Sequence, residues 1–251
     1  MTQFLLAFSG EWMKLRRSKG WITLIVLIVL PVVYGIFIYN IIISSQYEPD
    51  VENGWFMYIM MTQLFYGSIF YPIIVSVIAG TLISFEKQAN NWLLMFIAPV
   101  HHHIMYFSKL AWLALLSLLV QLTMMLMIVI GGVIMKISDP IPLGEMALMI
   151  GFGTLGAVSL GVLLLYAYLQ IKSNRHVLIL SILLSFPAFI AFSNEMNSWL
   201  PALYPWILPL FGMTTVFFSK ANLLIFALIC CLLLMVFSFL TIRSLKRPRL
   251  G

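Results

Sequence analysis

Apolar positions along the chain gather into long unbroken runs, and polar residues are confined to short breaks between them. A bilayer crossing needs about 20 mostly apolar residues. Segments of that kind fall near residues 21–43, 55–83, 107–135, 146–170, 177–192 and 221–242, which predicts six transmembrane helices. The second is long enough to tilt or bend, with Pro72 as the expected place, and the fifth is short. Continuous runs in place of alternation argue for helices and against a membrane barrel.

Ahead of the first run, Phe4, Phe8, Trp12 and Leu15 recur at helical spacing, while Glu11, Lys14, Arg16 and Arg17 supply polar character. The pattern predicts an amphipathic helix within residues 1–20, lying in the membrane interface. The run that follows is too long for a signal-peptide core and lacks a small-residue cleavage motif, so it is expected to remain in the protein. Between the fifth and sixth runs, "NEMNSWLPALYPWILPLFG" places prolines among Trp199, Tyr204, Trp206 and Phe211. Water is a poor environment for such a surface. Residues 193–220 are therefore expected to dip into the outer leaflet or pack over the bundle, since irregular backbone at membrane depth survives only under protein cover.

Composition agrees with the pattern. Hydrophobic residues make up 63% and charged residues 9% of the chain, against about 25% charged in a soluble domain. One all-α membrane domain, residues 1–251, is expected. The net charge of +6 could suggest nucleic acid, but the basic residues cluster beside apolar runs, where they orient spans and touch anionic membrane lipids. Lys14, Arg16, Arg17 and Lys19, then Lys87 and Lys109, then Lys172 and Arg175, then Arg243, Lys246, Arg247 and Arg249 fall on one side. Lys136 and Lys220 fall on the other, with Glu48, Asp50, Glu52, Asp139, Glu145 and Glu195. The positive-inside rule then predicts both termini in the cytoplasm. Trp21, Trp55, Trp112, Trp199 and Trp206 lie near span ends, as interfacial aromatics do.

Candidate chemistry is sparse. His101, His102 and His103 are consecutive, whereas metal-binding pairs on helices sit three or four apart, so a polar turn is the better reading. Cys230 and Cys231 are adjacent in an apolar run and read as packing. "AVSLG" approaches the serine-hydrolase elbow, but Ala157 replaces its first glycine and no base is placed to activate Ser159. Gly153, Ala157 and Gly161 instead form a small-residue ridge for close helix packing. The methionines at Met57, Met60, Met61, Met124, Met125 and Met127 read as adaptable packing before copper ligands. No ionisable residue lies well inside a span, Gln63 and Gln121 being the most polar there, which weakens proton- or ion-coupled transport. No phosphate-binding loop occurs, so nucleotide hydrolysis by that route would belong to another protein.

Between the second and third runs the chain reads "FEKQANNWLLMFIAPVHHHIMYFSK". With the basic opening segment "EWMKLRRSKGW" and six spans, this hairpin resembles permease subunits of type-2 ABC exporters, and more narrowly those of the lantibiotic-immunity group. Glu86, Asn91, Trp92, Pro99 and Lys109 stand where that group carries an acidic residue, a polar Asn–Trp stretch, a proline and a lysine. Three histidines after Pro99-Val100 depart from its usual small and basic residues. The resemblance implies a bacterial cell membrane and a coupling segment, residues 84–106, that docks in a cleft of an ATPase subunit. It also implies a second permease chain, a re-entrant element before the last span, and an amphipathic peptide antibiotic as cargo. ATP and Mg would be bound by the partner, with no cofactor or metal in this chain. For docking, Glu86 and Lys87 offer charge pairing and Asn91 hydrogen bonds, while Trp92, Leu94 and Phe96 offer an apolar anchor. A membrane anchor or sensor that recruits a cytoplasmic protein without transport is the alternative.

Overall fold

The structure, a computed structural model, describes residues 2–16, 20–45, 54–87, 102–171, 173–194, 203–214 and 220–245, all helix or short connection. Helix α1 (Thr2–Arg16) precedes α2 (Gly20–Ser45). Helix α3 (Gly54–Phe65) runs through a π-helical turn (Tyr66–Phe70) into α4 (Tyr71–Lys87). Then come α5 (His102–Ile134), α6 (Leu143–Gln170), α7 (Asn174–Asn194), a 3-10 turn (Pro205–Ile207) with α8 (Leu208–Thr214), and α9 (Lys220–Leu245).

Five helical stretches among the described residues are long and apolar enough to cross a membrane: Leu24–Ile41, Gly54–Ser84, His103–Ile134, Leu143–Gln170 and Asn222–Leu245. The sequence predicts six. At the position of the expected fifth span stands α7, whose apolar part, Asn174–Ile190, is shorter than the others and contains Pro187.

The second span widens into a π-helical turn just ahead of Pro72. Pro72 has no N–H to give to the Ser68 carbonyl, and its ring crowds that carbonyl. The backbone answers by widening: the Tyr71 N–H donates five residues back, to Tyr66 O, the pattern of a π-bulge. The wider turn leaves Tyr66 and Tyr71 fully buried and stacked, ring centroids 5.0 Å apart.

The core lies among α4, α5, α6 and α8, while α2 and α9 carry rows of exposed large apolar side chains. On α9 these are Leu224, Leu228, Leu232, Val236 and Phe239, spaced one helical turn apart. All of α8 is buried. Trp206 donates its indole N–H to Ser181 Oγ of α7 at 3.2 Å, and the Leu208 carbonyl lies against Gly156 of α6. Gly156 is about 20 Å from the start of α6 at 1.5 Å per residue. Leu208 therefore packs more than three turns into α6, and Gly212 meets the Phe152 carbonyl one turn nearer its start.

At Gly156 a Cβ would strike Leu208 backbone, which cannot swing aside. Gly156→Val should destabilise the protein by about 1–3 kcal/mol through overpacking. A Cβ at Gly144 meets nothing within 4 Å, so Gly144→Ala is the control. Thermal denaturation in detergent compares the two.

Candidate functional site

Both legs of the predicted hairpin begin in the described structure, and at their base they are tied to α1. Glu11 lies on the same helical stripe as Phe8 and Leu15, and so turns inward: it is 5% exposed. Lys109, two turns into α5, is 2% exposed. Its ammonium donates to Glu11 Oε1 at 2.9 Å and to the Leu82 carbonyl of α4 at 2.8 Å. Lys14 donates to the same Glu11 oxygen at 2.8 Å. One lysine thus joins the leaving leg, the returning leg and the N-terminal helix. A buried pair of this kind is held by geometry, because desolvation consumes most of the Coulomb gain unless both partners keep further hydrogen bonds.

Aromatic packing reinforces the joint. Trp112, one turn beyond Lys109, gives its indole N–H to the Phe8 carbonyl at 2.9 Å. Phe8 and Trp12 stack on its ring with centroids 4.4 and 5.3 Å away. Offset aromatic pairs add roughly 0.5–1.5 kcal/mol beyond burial.

Burial alone pushes the Glu11 carboxyl up, but the charges and hydrogen bonds of Lys109 and Lys14 outweigh it and hold the group below its ordinary 4.5. With the folded value depressed, the joint's contribution is complete above pH 4.5 and drains away as pH falls through the lowered folded value. Acidification should therefore loosen α1 as pH falls below 4.5 toward that lowered value, and Glu11→Gln should remove the pH step. Fluorescence of the Trp12–Trp112 stack follows it.

Of the predicted coupling residues, Lys87 is described in full. It ends α4 and donates to the Ile171 carbonyl at 2.5 Å and to Asn174 Oδ1 at 3.0 Å, tying the hairpin base to the α6–α7 turn as well. Glu86 lies in the same last turn of α4. Asn91, Trp92, Leu94, Phe96 and Pro99 lie outside the described residues. In the ridge, a Cβ at Gly153 would meet Met213 Cγ at 2.6 Å, one at Gly161 would meet Leu113 at 2.6 Å, and Ala157 is fully buried.

The remaining candidates occupy plain roles. Ser159 donates to Leu155 O at 2.8 Å. Gln63 and Gln121 are fully buried and aim their amides at thioethers, Gln63 at Met149 Sδ (3.2 Å) and Gln121 at Met213 Sδ (3.1 Å). Thioethers are weak acceptors. Among the described residues no three His, Cys, Asp or Glu gather as a metal site.

Sequence reading recognised Lys109 as the lysine opening the third span but missed its partner. The signal was present: Glu11 follows Phe8 by three and precedes Leu15 by four, so the periodicity that buries those two buries Glu11 with them.

A family model described as ABC-2 family transporter protein matches residues 7–194, about three quarters of the 251-residue chain. No curated protein and no solved structure matches it. The matched range holds α1 from residue 7 onward and the chain through the end of α7, including residues 84–106.

Proposed function

The chain belongs to the ABC-2 transporter family and is a multi-pass permease subunit of an ABC transporter, a family trait that implies an ATPase partner; from that premise we propose that it is an exporter gate driven through its hairpin. ATP and Mg are bound by the partner. Two permease chains, identical or related, form the membrane path in the bacterial cytoplasmic membrane, with both termini inside and α7 as a further, shorter crossing of a single domain. Residues 84–106 dock in the partner, with Glu86 and Lys87 supplying charge, Asn91 hydrogen bonds, and Trp92, Leu94 and Phe96 the anchor before Pro99 turns the chain back.

The observation that carries this reading is the Lys109 joint. Force applied to a hairpin reaches the spans only if its base is rigid, and here α1, α4 and α5 meet on one buried ammonium. A merely anchoring loop has no use for that stiffness. The Lys87 contacts extend the same rigid base to the α6–α7 turn.

The cargo is an amphipathic peptide of the lantibiotic type, moved out of the membrane for self-protection. The resemblance of the hairpin to the immunity group supports this, as does the lack of charged side chains at mid-depth among the described spans. Deleting the permease and ATPase genes together should raise sensitivity to at least one member of a lantibiotic panel, and unchanged sensitivity to all would contradict the cargo. Cargo-stimulated ATP hydrolysis by the purified complex in vesicles separates export from the anchor alternative, which leaves hydrolysis indifferent to cargo.

A further inference from the structure

At the bundle end opposite the Lys109 joint, the start of α3 and the turn before α6 enclose a cavity of about 420 Å³ lined by Trp55, Phe56, Ile59, Asp139, Pro140, Pro142 and Glu145. That volume falls in the range of small-ligand sites, about 300–1,000 Å³. Its walls combine aromatic and proline surface with two carboxylates and no cation. Phe56 and Glu145 are exposed, so the cavity opens at the edge of the bundle.

The floor is held firmly. Asp139 Oδ2 accepts the Gly54 N–H at 2.6 Å and the Asp139 carbonyl accepts the Trp55 indole N–H at 2.9 Å, so the polar atoms of the indole are spent and its face is left as wall. Gly132 lies flat against the far edge of the same indole, fixing its plane. Asp139 thus has one carboxylate oxygen engaged in capping α3, and no ion pair involving Asp139 or Glu145 occurs among the described residues.

The geometry points to a binding site for an amphipathic ammonium: the cationic group sits between Asp139 and Glu145 while the adjoining apolar segment lies on Trp55, Phe56 and Ile59. Charge complementarity chooses this occupant. An anion would face two carboxylates, and a neutral apolar molecule would use neither the second oxygen of Asp139 nor the Glu145 carboxylate, whereas a cation gains both and the aromatic faces together. In the orientation proposed above the cavity faces outward at headgroup level, and there it serves as a subsite for the cationic part of the exported peptide. The assignment to cargo rests on that reading; the ammonium site itself does not.

The test is equilibrium binding of fluorescently tagged dodecylammonium to the full chain in phosphatidylcholine nanodiscs, with tagged dodecanol as the uncharged control. Wild type should bind the ammonium probe more tightly than the alcohol. Glu145→Gln, an exposed position, and Asp139→Asn, which keeps an acceptor for Gly54 N–H, should each weaken it about fivefold, the upper range for a partly exposed charge pair. Neither should alter dodecanol binding, and equal melting temperatures exclude misfolding as the cause. Equal affinity for the two probes, or an ammonium affinity unchanged in Glu145→Gln, would overturn the site. Loss of probe binding in discs containing phosphatidylethanolamine would overturn the assignment to cargo in favour of a lipid amine. No ATPase subunit enters this experiment, so its failure leaves the coupled-permease reading standing, and failed ATP-driven efflux leaves the binding result standing.

Discussion

Lys109→Met should destabilise the protein by about 3–5 kcal/mol, the cost of stranding a buried carboxylate when its partner is removed. Three connections go at once: the ammonium's bond to Glu11, its bond to the Leu82 carbonyl, and with them the alignment of Trp112 under Phe8 and Trp12. Lys14, itself on α1 and partly exposed, still reaches the same Glu11 oxygen. The double variant Glu11→Gln/Lys109→Met should recover most of the loss, because a neutral pair leaves no buried charge. Hydrogen exchange of α1, with thermal denaturation, distinguishes the outcomes. A single variant as stable as wild type, with α1 equally protected, would show that the joint carries no weight.

Trp92→Ala should abolish productive contact with the ATPase subunit while leaving membrane insertion intact. A buried aromatic anchor at an interface costs about 2–4 kcal/mol on truncation, enough to weaken the complex roughly thirtyfold or more. Glu86→Ala removes charge pairing at the rim and should act more weakly, and more so at low salt than at high. Pull-down of the partner at graded salt measures both. Undiminished capture by the Trp92 variant would remove this residue from the coupling surface.

Much of this architecture can be read from periodicity. The spans and the first helix announce themselves through apolar runs and 3.6-residue spacing, because lipid leaves the backbone few options. The features that escape are those decided by a partner element. Glu11 carries the sign of a solvent-facing residue, and its inward direction becomes evident only when Lys109, 98 positions away, is seen opposite. An irregularity in the second span was legible as proline chemistry, though its form, a π-helical turn at Tyr66–Phe70, depends on how the carbonyl ahead of Pro72 is relieved. A close backbone approach lies at Gly156, beside the ridge of Gly153, Ala157 and Gly161, because the carbonyl of Leu208 comes from a segment whose position no local pattern encodes. The cavity at the start of α3 is likewise assembled from residues 55–59 and 139–145, which meet only in space.

The central claim is that the hairpin is the handle through which a separate motor moves this permease. Its most direct test is ATP-driven efflux from vesicles holding the complex, with residues 88–99 replaced by a glycine–serine tether of equal length. The account predicts that efflux ceases while the spans, the Lys109 joint and the partner's own basal ATP hydrolysis persist. Efflux at the wild-type rate through the tethered protein would contradict it.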